Sequence, residues 1–281
     1  MLNKLSTFVL MLFVAGALLV QQVHAVASAG TSTNTNADTT RVLFVGNSYI
    51  YYNNLPRLFT AVAASKGKPV VAEMIVHGGA RLEEHAANKQ LGKHIAEGDW
   101  DYVVLQEQST IAGQIVDGRL KNPDIDGFHK AASALHEVIK EAGAETVFHL
   151  TWARAHAPEM QHDLNRAYYA IARQLNTPIS PIGKTWAMAK QRMSSTNLYQ
   201  EDESHPSPAG SYLSAVTLFA TIFNESPTSA TGKITGHPVE EGLVNRSRTE
   251  TLVDLSMQEY MMLQEIAWRL HREEMKAGGH E

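Results

Sequence analysis

The sequence contains no cysteine, which excludes disulfide bonds, a lipid anchor on a thiol and thiolate metal sites. It also lacks any run of lysine and arginine interleaved with aromatic residues, and its formal net charge is -5 at pH 7. Nucleic-acid binding needs basic groups that neutralise phosphates, so we expect no nucleic-acid partner. A chain without disulfides depends on its core, which 281 residues, 44% of them hydrophobic, are enough to form.

The N-terminus has the pattern of a cleaved secretory signal peptide. One lysine precedes an apolar run at 8–20, and Ala25 closes a small-residue cleavage site. The apolar run is shorter than the roughly 20 residues that span a bilayer, which disfavours a retained membrane anchor. We predict a signal peptide at 1–25, a disordered linker at 26–40 and one domain at 41–281, in a periplasmic or secreted bacterial protein.

Short apolar runs alternate with amphipathic segments throughout the predicted domain. The apolar runs predict strands at 41–46, 69–77, 100–106, 145–152 and 177–183. The amphipathic segments predict helices at 55–67, 81–98, 127–143, 160–176, 207–223 and 251–276. Such alternation favours right-handed βαβ units, and therefore an α/β fold with about five parallel strands and helices on both faces. Residues 107–125 are predicted to be a long loop.

Polar residues and glycines follow the first three predicted strands. Ser48 comes two residues after the first strand, Gly78 and Gly79 follow the second, and the stretch QEQS at 106–109 ends the third. Ligands of parallel α/β sheets bind beyond the carboxyl ends of the strands. Each feature alone is ordinary, since a serine between a strand and a helix is usually a cap or turn residue.

Asp202 and His205 supply what Ser48 needs to become a nucleophile. A serine hydroxyl attacks only when a base removes its proton, and His205 can be that base. Asp202, three residues earlier, can orient the imidazole and stabilise its cation. The alternative interpretation is a simple loop pair in which His205 caps the helix that follows Pro206. The combination with Ser48 favours acyl transfer.

An oxyanion hole is the remaining requirement of acyl transfer. Its donors must be held in place before charge develops on the carbonyl oxygen. The backbone N–H of Ser48 and that of Gly78 or Gly79 can supply two such donors, and a glutamine side chain, Gln106 or Gln108, can supply a third.

These blocks, in this order, resemble those of the SGNH hydrolases, also called GDSL-like. The tripeptide that ends in Ser48 stands where the family has Gly-Asp-Ser, and Gly78 or Gly79 matches its second-block glycine. Asp202 and His205 match its Asp-x-x-His block, and the resemblance spans about 41–225. It implies a flavodoxin-like three-layer α/β/α sandwich, a nucleophilic serine, and neither a metal nor an organic cofactor.

The third block departs from the usual pattern of the family. The stretch 106–109 has no asparagine where Gly-x-Asn-Asp is usual, and it is more similar to Gln-Gly-Glu-Ser of the carbohydrate (sialate-type) acetylesterases. That match makes Gln106 the oxyanion donor, whereas a position-by-position match makes it Gln108. We favour Gln106 because it lies nearer the strand end. The match implies a short acyl ester, such as acetyl, of a carbohydrate or glycan.

Other residues near the strand ends are candidate substrate contacts. They are Asn47, Tyr49, His77, Trp152 and Arg154. An aromatic ring and a cation suit a sugar ring or an acidic substituent, but a core tryptophan and a surface arginine fit the same pattern. The 13 histidines show no HExxH spacing, so no metal site is predicted.

The sequence allows more than one interpretation of the function and of the C-terminal helix. The alternatives to a carbohydrate esterase are a lipid or thioester acylhydrolase and a non-catalytic carbohydrate-binding protein with the same fold. The apolar stripe on the predicted C-terminal helix at 251–276 fits packing against the sheet and fits dimerisation equally well.

Overall fold

The computed structural model describes residues 39–278, so the predicted signal peptide and most of the predicted linker lie outside the described residues. The strands of the described part are β1 (Thr40–Gly46), β2 (Val70–Val76), β3 (Tyr102–Leu105), β4 (Gln114–Val116), β5 (Arg119–Lys121), β6 (Glu145–His149), β7 (Ile179–Ser180), β8 (Lys233–Gly236), β9 (Val239–Glu240), β10 (Leu243–Val244) and β11 (Glu250–Asp254). Its helices are α1 (Ser48–Tyr51), α2 (Leu55–Ser65), α3 (Leu82–Ala86), α4 (Lys89–Glu97), α5 (Ile125–Glu141), α6 (Met160–Leu175), α7 (Ile182–Arg192), α8 (Pro208–Phe223) and α9 (Met257–Gly278), and a 3₁₀ turn (Tyr52–Asn54) joins α1 to α2.

Five strands form the central sheet, in the order β2-β1-β3-β6-β7. All neighbouring pairs in it are parallel, which confirms the predicted parallel sheet. This is the flavodoxin-like order, in which the direction of winding reverses between β1 and β3. The carboxyl ends of these two strands flank the crevice where such sheets bind ligands.

Helices cover both faces of the sheet and form a three-layer sandwich. Phe44 points into the core shared with α2, α7, α8 and α9, whereas its neighbours Leu43 and Val45 point into the core shared with α3 to α6. Successive side chains of a strand point to opposite faces, so a strand covered on both sides must be apolar throughout. The continuous apolar run of β1 satisfies this requirement.

Two predicted elements are divided or interrupted in the structure. The helix predicted at 81–98 is two helices, because Asn88 starts a new one by accepting hydrogen bonds from the N–H groups of Gln90 and Leu91. The predicted loop at 107–125 contains the antiparallel hairpin of β4 and β5. Three-residue strands of this kind leave little periodic signal in a sequence.

Two further differences lie in the second half of the chain. Helix α7 was not predicted; it follows Pro181 and buries Trp186 in the core. The predicted helix at 251–276 begins only at Met257, because residues 250–254 form β11 and pair with β8. None of the helices within residues 39–278 has the length and apolar character that a membrane crossing requires.

The stripe on α9 is divided between core and surface. Leu263 and Ile266 are buried in the core beside α8, whereas Met257 and Met261 are exposed. Packing against the fold, one of the two interpretations of the stripe, therefore accounts for part of it.

The segment 233–254, between α8 and α9, forms a small ribbon beside the carboxyl end of β2. It contains the β8–β11 pair and the β9–β10 hairpin, whose turn residues Glu241 and Gly242 both have positive φ. A β-carbon at Gly242 would lie 3.3 Å from the Val76 carbonyl oxygen and 3.7 Å from the Tyr51 ring. The hairpin thus lies close to the end of β2 and to Tyr51, the last residue of α1.

Candidate active site

Ser48 is the first residue of α1, directly beyond the carboxyl end of β1. Asn47 is the N-cap of this helix, and its side-chain oxygen accepts a hydrogen bond from the N–H of Tyr49 at 3.1 Å. A β-carbon at Gly46 would lie 2.5 Å from the Gln106 side-chain oxygen, so only glycine fits there. The sharp passage from strand to helix therefore fixes the position of the serine.

Ser48, His205 and Asp202 form one hydrogen-bonded chain. The His205 Nε2 and the Ser48 Oγ are 2.8 Å apart, and the His205 Nδ1 is hydrogen-bonded to the Asp202 carboxylate. With Nδ1–H donating to the carboxylate, Nε2 is free to accept the serine proton. The structure thus brings together the three residues that the sequence proposed as nucleophile, base and orienting acid.

The carboxylate of Asp202 also holds the loop that carries His205. One of its oxygens accepts hydrogen bonds from the N–H groups of Ser204 at 3.0 Å and of His205 at 2.9 Å. Burial alone would raise the pKa of Asp202, but these hydrogen bonds and that of the His205 ring outweigh it and lower the pKa. The carboxylate is therefore ionised when the imidazole needs a counter-charge. The cap of α8 is Ser207, not His205, which removes the alternative role of the histidine.

Aromatic rings enclose the imidazole of His205. Tyr52 stacks on it with ring centroids 4.2 Å apart and an interplanar angle of 10°, and Tyr49 meets it edge-on at 5.6 Å. Tyr49 in turn stacks on Trp152 at 4.5 Å, and the Trp152 Nε1–H donates to the Ser204 carbonyl oxygen at 3.1 Å. These contacts restrict the ring orientation on which proton transfer depends.

Trp152 and Tyr49 support the catalytic loop and do not form an open binding surface. Trp152 is 0% exposed and Tyr49 is 5% exposed. The Tyr49 hydroxyl is hydrogen-bonded to the Ser204 hydroxyl at 2.6 Å. Both side chains are fully used in packing and hydrogen bonding, so the expectation that they contact substrate is corrected to a positioning role.

The glycines after β2 expose unused backbone donors. Ala80 N–H donates to the His77 carbonyl oxygen at 3.2 Å, which closes a tight turn with Gly79 at φ +70°. A positive φ at this position of a turn favours glycine. Within residues 39–278, the N–H groups of Ser48, Gly78 and Gly79 donate to no protein acceptor. These are the backbone donors that an oxyanion hole requires.

Gln106 is not available as an oxyanion donor. Its side-chain oxygen accepts from the N–H of Asn47 at 2.9 Å, and its Nε2 donates to the Glu107 carbonyl oxygen at 2.5 Å. A backbone N–H can only donate, so the Asn47 contact fixes which end of the amide is oxygen. Gln106 is also 0% exposed. Our preference for Gln106 is therefore corrected: this residue ties β3 to the turn that carries the serine.

Gln108 has the free amide that Gln106 lacks. Its side-chain oxygen accepts from both the N–H and the hydroxyl of Thr110, each at 2.8 Å. These donors fix the oxygen toward Thr110, and the Nε2 group has no protein acceptor within the described residues. Gln108 is only half-buried. The structure thus favours Gln108 as the side-chain donor.

Glu107 is a buried carboxylate that the sequence did not single out. Its oxygens accept from the N–H of Gln108 at 2.6 Å and from the N–H of Leu82, the first residue of α3, at 3.0 Å. Burial raises its pKa to about 7, although both hydrogen bonds favour the ionised form. Glu107 therefore links the backbone beneath Gln108 to α3.

Asn47 and His77, two of the candidate substrate contacts, differ in exposure. Asn47 is buried, and its side chain donates to the Ala80 carbonyl oxygen at 2.9 Å, so it holds the two catalytic turns together. His77 is exposed, and its ring stacks on buried His85 at 5.9 Å. His85, to which the sequence assigned no role, is hydrogen-bonded to the Gly46 carbonyl oxygen at 2.8 Å. Of Asn47 and His77, only His77 stays a candidate substrate contact.

Arg154 lies at the other side of the catalytic loop. Its guanidinium donates to the Ser109 hydroxyl at 3.4 Å, and its Nε has no hydrogen-bond partner among the described residues. The backbone next to it is fixed, since the Ala155 N–H donates to the Glu203 carbonyl oxygen at 2.8 Å. Arg154 is therefore a half-buried cation whose buried Nε–H lacks an acceptor among the described residues. Among residues 39–278, no group of three or more acidic or histidine side chains could hold a metal.

Comparisons with known proteins place this geometry in context. No protein-family model matches the sequence, and no curated protein matches it. A predicted SGNH hydrolase from Slackia heliotrinireducens matches with 26% identity and a TM-score of 0.53, over 66% of this chain and 100% of that one. A DUF4886 family protein from Bacteroides uniformis matches with 17% identity and a TM-score of 0.64, over 83% and 94%. An acetyl xylan esterase matches with 16% identity and a TM-score of 0.54, over 65% and 99%.

These matches are evidence for the fold of the chain. The first neighbour is itself described as an SGNH hydrolase, and its whole length superposes on part of this chain. Together with the observed strand order, the matches confirm that the chain has the SGNH hydrolase fold and resembles that superfamily.

Proposed function

We propose that the protein is a serine esterase that removes a short acyl group, most simply acetyl, from a carbohydrate. The observation that carries this proposal is the hydrogen-bonded chain from Asp202 through His205 to Ser48. It lies beside free N–H donors at Ser48, Gly78 and Gly79, which is the combination that ester hydrolysis requires.

In the first half of the reaction, the Ser48 Oγ attacks the carbonyl carbon of the ester while the His205 Nε2 takes the hydroxyl proton. The carbonyl oxygen becomes an oxyanion and accepts hydrogen bonds from the backbone donors and from the Gln108 amide. The bond between the carbonyl carbon and the alcohol oxygen then breaks. His205 gives its proton to that oxygen, and the acyl group stays on Ser48.

In the second half, water replaces the alcohol. His205 Nε2 takes a proton from the water, and the resulting hydroxide attacks the acyl carbon. The bond to Ser48 Oγ breaks, His205 returns a proton to the serine, and the carboxylic acid leaves. Asp202 stays ionised throughout and stabilises the imidazolium in both halves.

The substrate class is supported by chemistry and by one comparison. The stretch after β3 presents the half-buried polar side chains Gln108 and Thr110, where a lipid acyl chain would need an apolar lining. Arg154 and His77 add polar donors near the strand ends and are proposed substrate contacts. The similar acetyl xylan esterase acts, by its name, on an acetylated polysaccharide. Export of the protein, as the N-terminal pattern predicts, would bring it to such polymers.

Ester hydrolysis by wild type and Ser48→Ala tests the proposal. We expect wild type to hydrolyse p-nitrophenyl acetate and acetylated xylo-oligosaccharides faster than p-nitrophenyl octanoate, and Ser48→Ala to lose about 10⁴-fold or more in kcat. Mass spectrometry of wild type quenched during turnover should show an acyl group on Ser48.

Two results would contradict the proposal. Equal inactivity of wild type and Ser48→Ala on all these esters would favour a carbohydrate-binding protein without catalysis. A strong preference of wild type for the octanoyl ester would favour a lipid or thioester acylhydrolase.

A further inference from the structure

A groove of about 460 Å³ lies next to the catalytic loop, between the main fold and the ribbon at 233–254. Its inner wall is formed by Tyr51, Tyr52 and Gln200, and its outer wall by Glu241, Arg248 and Leu252 of the ribbon. Neither Ser48 nor the oxyanion donors line this groove. It is therefore a separate surface that borders the reaction centre.

The groove and the catalytic base share one aromatic ring. Tyr52, which stacks on His205 at 4.2 Å, also lines the groove. Gln200 connects them a second time, because its N–H donates to the His205 carbonyl oxygen at 2.8 Å. A molecule in the groove would thus lie one ring away from the imidazole.

The chemistry of the ester decides which part of a substrate can reach this groove. His205 Nε2 must protonate the departing alcohol, so the alcohol part lies on the His205 side of Ser48. Tyr49, one aromatic neighbour of His205, is buried, whereas Tyr52, the other, is half-buried and borders open space. Of the two aromatic neighbours of His205, only Tyr52 borders open space, and that space is the groove.

The lining suits a sugar. Tyr51 and Tyr52 stack on each other with ring centroids 5.6 Å apart, and they offer an apolar face with hydroxyl groups at its edge. Burial raises the pKa of both hydroxyls, so they stay protonated and can donate hydrogen bonds. Gln200 adds an amide. Flat apolar surface with polar groups around it matches the C–H faces and hydroxyl groups of a pyranose ring.

The charge of the outer wall selects among sugars. Arg248 is paired with Glu240 at 2.9 Å and lies 3.7 Å from Glu250. Glu241 has no basic partner within residues 39–278 and carries an uncompensated negative charge at the groove. An anionic sugar would be repelled by this carboxylate, whereas a neutral or amino sugar would not.

We propose that this groove binds the alcohol part of the ester, a neutral or amino-sugar chain, and so determines which acylated carbohydrate is hydrolysed. The inference rests on the proposed esterase function and adds a substrate class to it. It assigns to the ribbon at 233–254 a role in specificity, distinct from the chemistry at Ser48.

The test compares three acetyl esters with different alcohols: p-nitrophenyl acetate, an acetylated xylo-oligosaccharide and an acetylated oligogalacturonide. For each enzyme, kcat/KM is measured and expressed as a ratio between two esters, so that general losses cancel. Tyr51→Ala removes half of the aromatic wall. We expect it to lower the ratio of xylo-oligosaccharide to p-nitrophenyl acetate about tenfold.

Glu241→Asn tests the charge selection without disturbing the hairpin. Glu241 and Gly242 have φ values of +49° and +87°, and Asn-Gly is the preferred pair for a two-residue turn of this type. The variant should be at least as stable as wild type, and it should raise the ratio of galacturonide to xylo-oligosaccharide about threefold. Leu243→Thr is the matched control, because Leu243 is exposed on the same hairpin but does not line the groove. Both of its ratios should equal those of wild type.

The outcomes separate this inference from the proposed function. If wild type hydrolyses p-nitrophenyl acetate but Tyr51→Ala and Glu241→Asn keep the wild-type ratios, the groove does not bind the sugar and only this inference is overturned. A wild-type preference for the galacturonide would overturn the charge selection. If wild type hydrolyses none of the three esters, the esterase function itself fails.

Discussion

The two halves of the site differ in how completely their hydrogen bonds are made. On the acid–base side, hydrogen bonds already join Ser48 to His205 and His205 to Asp202. On the oxyanion side, the N–H groups of Gly78 and Gly79 have no protein acceptor within residues 39–278. The acid–base half has all its hydrogen bonds before substrate binds, and we call it the closed half. The oxyanion half has unused donors, and we call it the open half.

This difference follows from what each half must stabilise. The acid–base groups exchange protons with one another, so their partners belong to the protein. The oxyanion donors must bind a charge that exists only in the transition state, and donors that already had protein partners would have to give them up. Free donors held by a fixed backbone therefore favour the transition state over the ground state.

Breaking the closed half should have the largest effect. Asp202→Asn removes the charge that orients and stabilises the His205 ring, and we expect a loss of about 10⁴-fold in kcat with little change in KM. The measurement is steady-state hydrolysis of p-nitrophenyl acetate. Glu203→Gln, a neutralised exposed carboxylate in the same loop, is the control and should keep kcat close to that of wild type. A loss below about tenfold for Asp202→Asn would mean that another group orients the histidine.

Breaking the open half should cost less. Gln108→Ala removes one of several oxyanion donors, so we expect kcat to fall about 10²- to 10³-fold. The melting temperature should fall less than that of Gln106→Ala. The lost side-chain oxygen leaves only the half-buried Thr110 without an acceptor, and the lost Nε2 group has no protein acceptor among the described residues.

Gln106→Ala provides the contrasting result for the same stretch. It removes the acceptor of the buried Asn47 N–H and leaves a cavity beside Gly46, so we expect a lower melting temperature as well as lower activity. If Gln106→Ala lost activity at an unchanged melting temperature while Gln108→Ala stayed active, the assignment of the oxyanion donor to Gln108 would be wrong.

The closed half could be predicted from the sequence, because its geometry follows from local spacing and topology. Ser48 follows a buried strand, and three residues of separation allow Asp202 and His205 to share one loop. The rule that parallel strands place their carboxyl ends at one edge then brings the loop to the serine. The five-strand sheet was predictable for a similar reason, since β1 carries a continuous buried apolar run at 42–45.

The details of the open half depend on contacts that spacing does not encode. Gln106 and Gln108 are equivalent in the sequence, and only the N–H groups of Asn47 and Thr110 decide which amide is free. Trp152 was a candidate contact, but its burial is set by stacking on Tyr49 and on Trp186 at 4.0 Å. Likewise β11 forms because β8 is available to pair with it, which overrides the helical pattern at 251–256.

The smallest effect concerns two carboxylates, Asp202 in the closed half and Glu107 next to Gln108 of the open half. Their pKa values shift in opposite directions. Hydrogen bonds lower the pKa of Asp202, so its contribution to stability is present at neutral pH and is lost as the pH falls. Burial raises the pKa of Glu107 to about 7. Between the ordinary carboxyl pKa and about 7, the native state therefore binds more protons at Glu107 than the unfolded state does. Its contribution to the free energy of unfolding then decreases as the pH rises.

Glu107→Gln should remove this pH dependence. Across the window from about pH 4.5 to pH 7, wild type should lose on the order of 3 kcal/mol of unfolding free energy at this site, and the variant should not. Urea unfolding at pH 5, 6, 7 and 8 measures the difference between the two proteins, and the other titrating groups cancel in it. Glu141→Gln, at an exposed carboxylate of α5, should give the same pH dependence as wild type. Parallel curves for wild type and Glu107→Gln would show that the carboxylate beneath Gln108 stays ionised throughout, so that the oxyanion half does not respond to pH in this range.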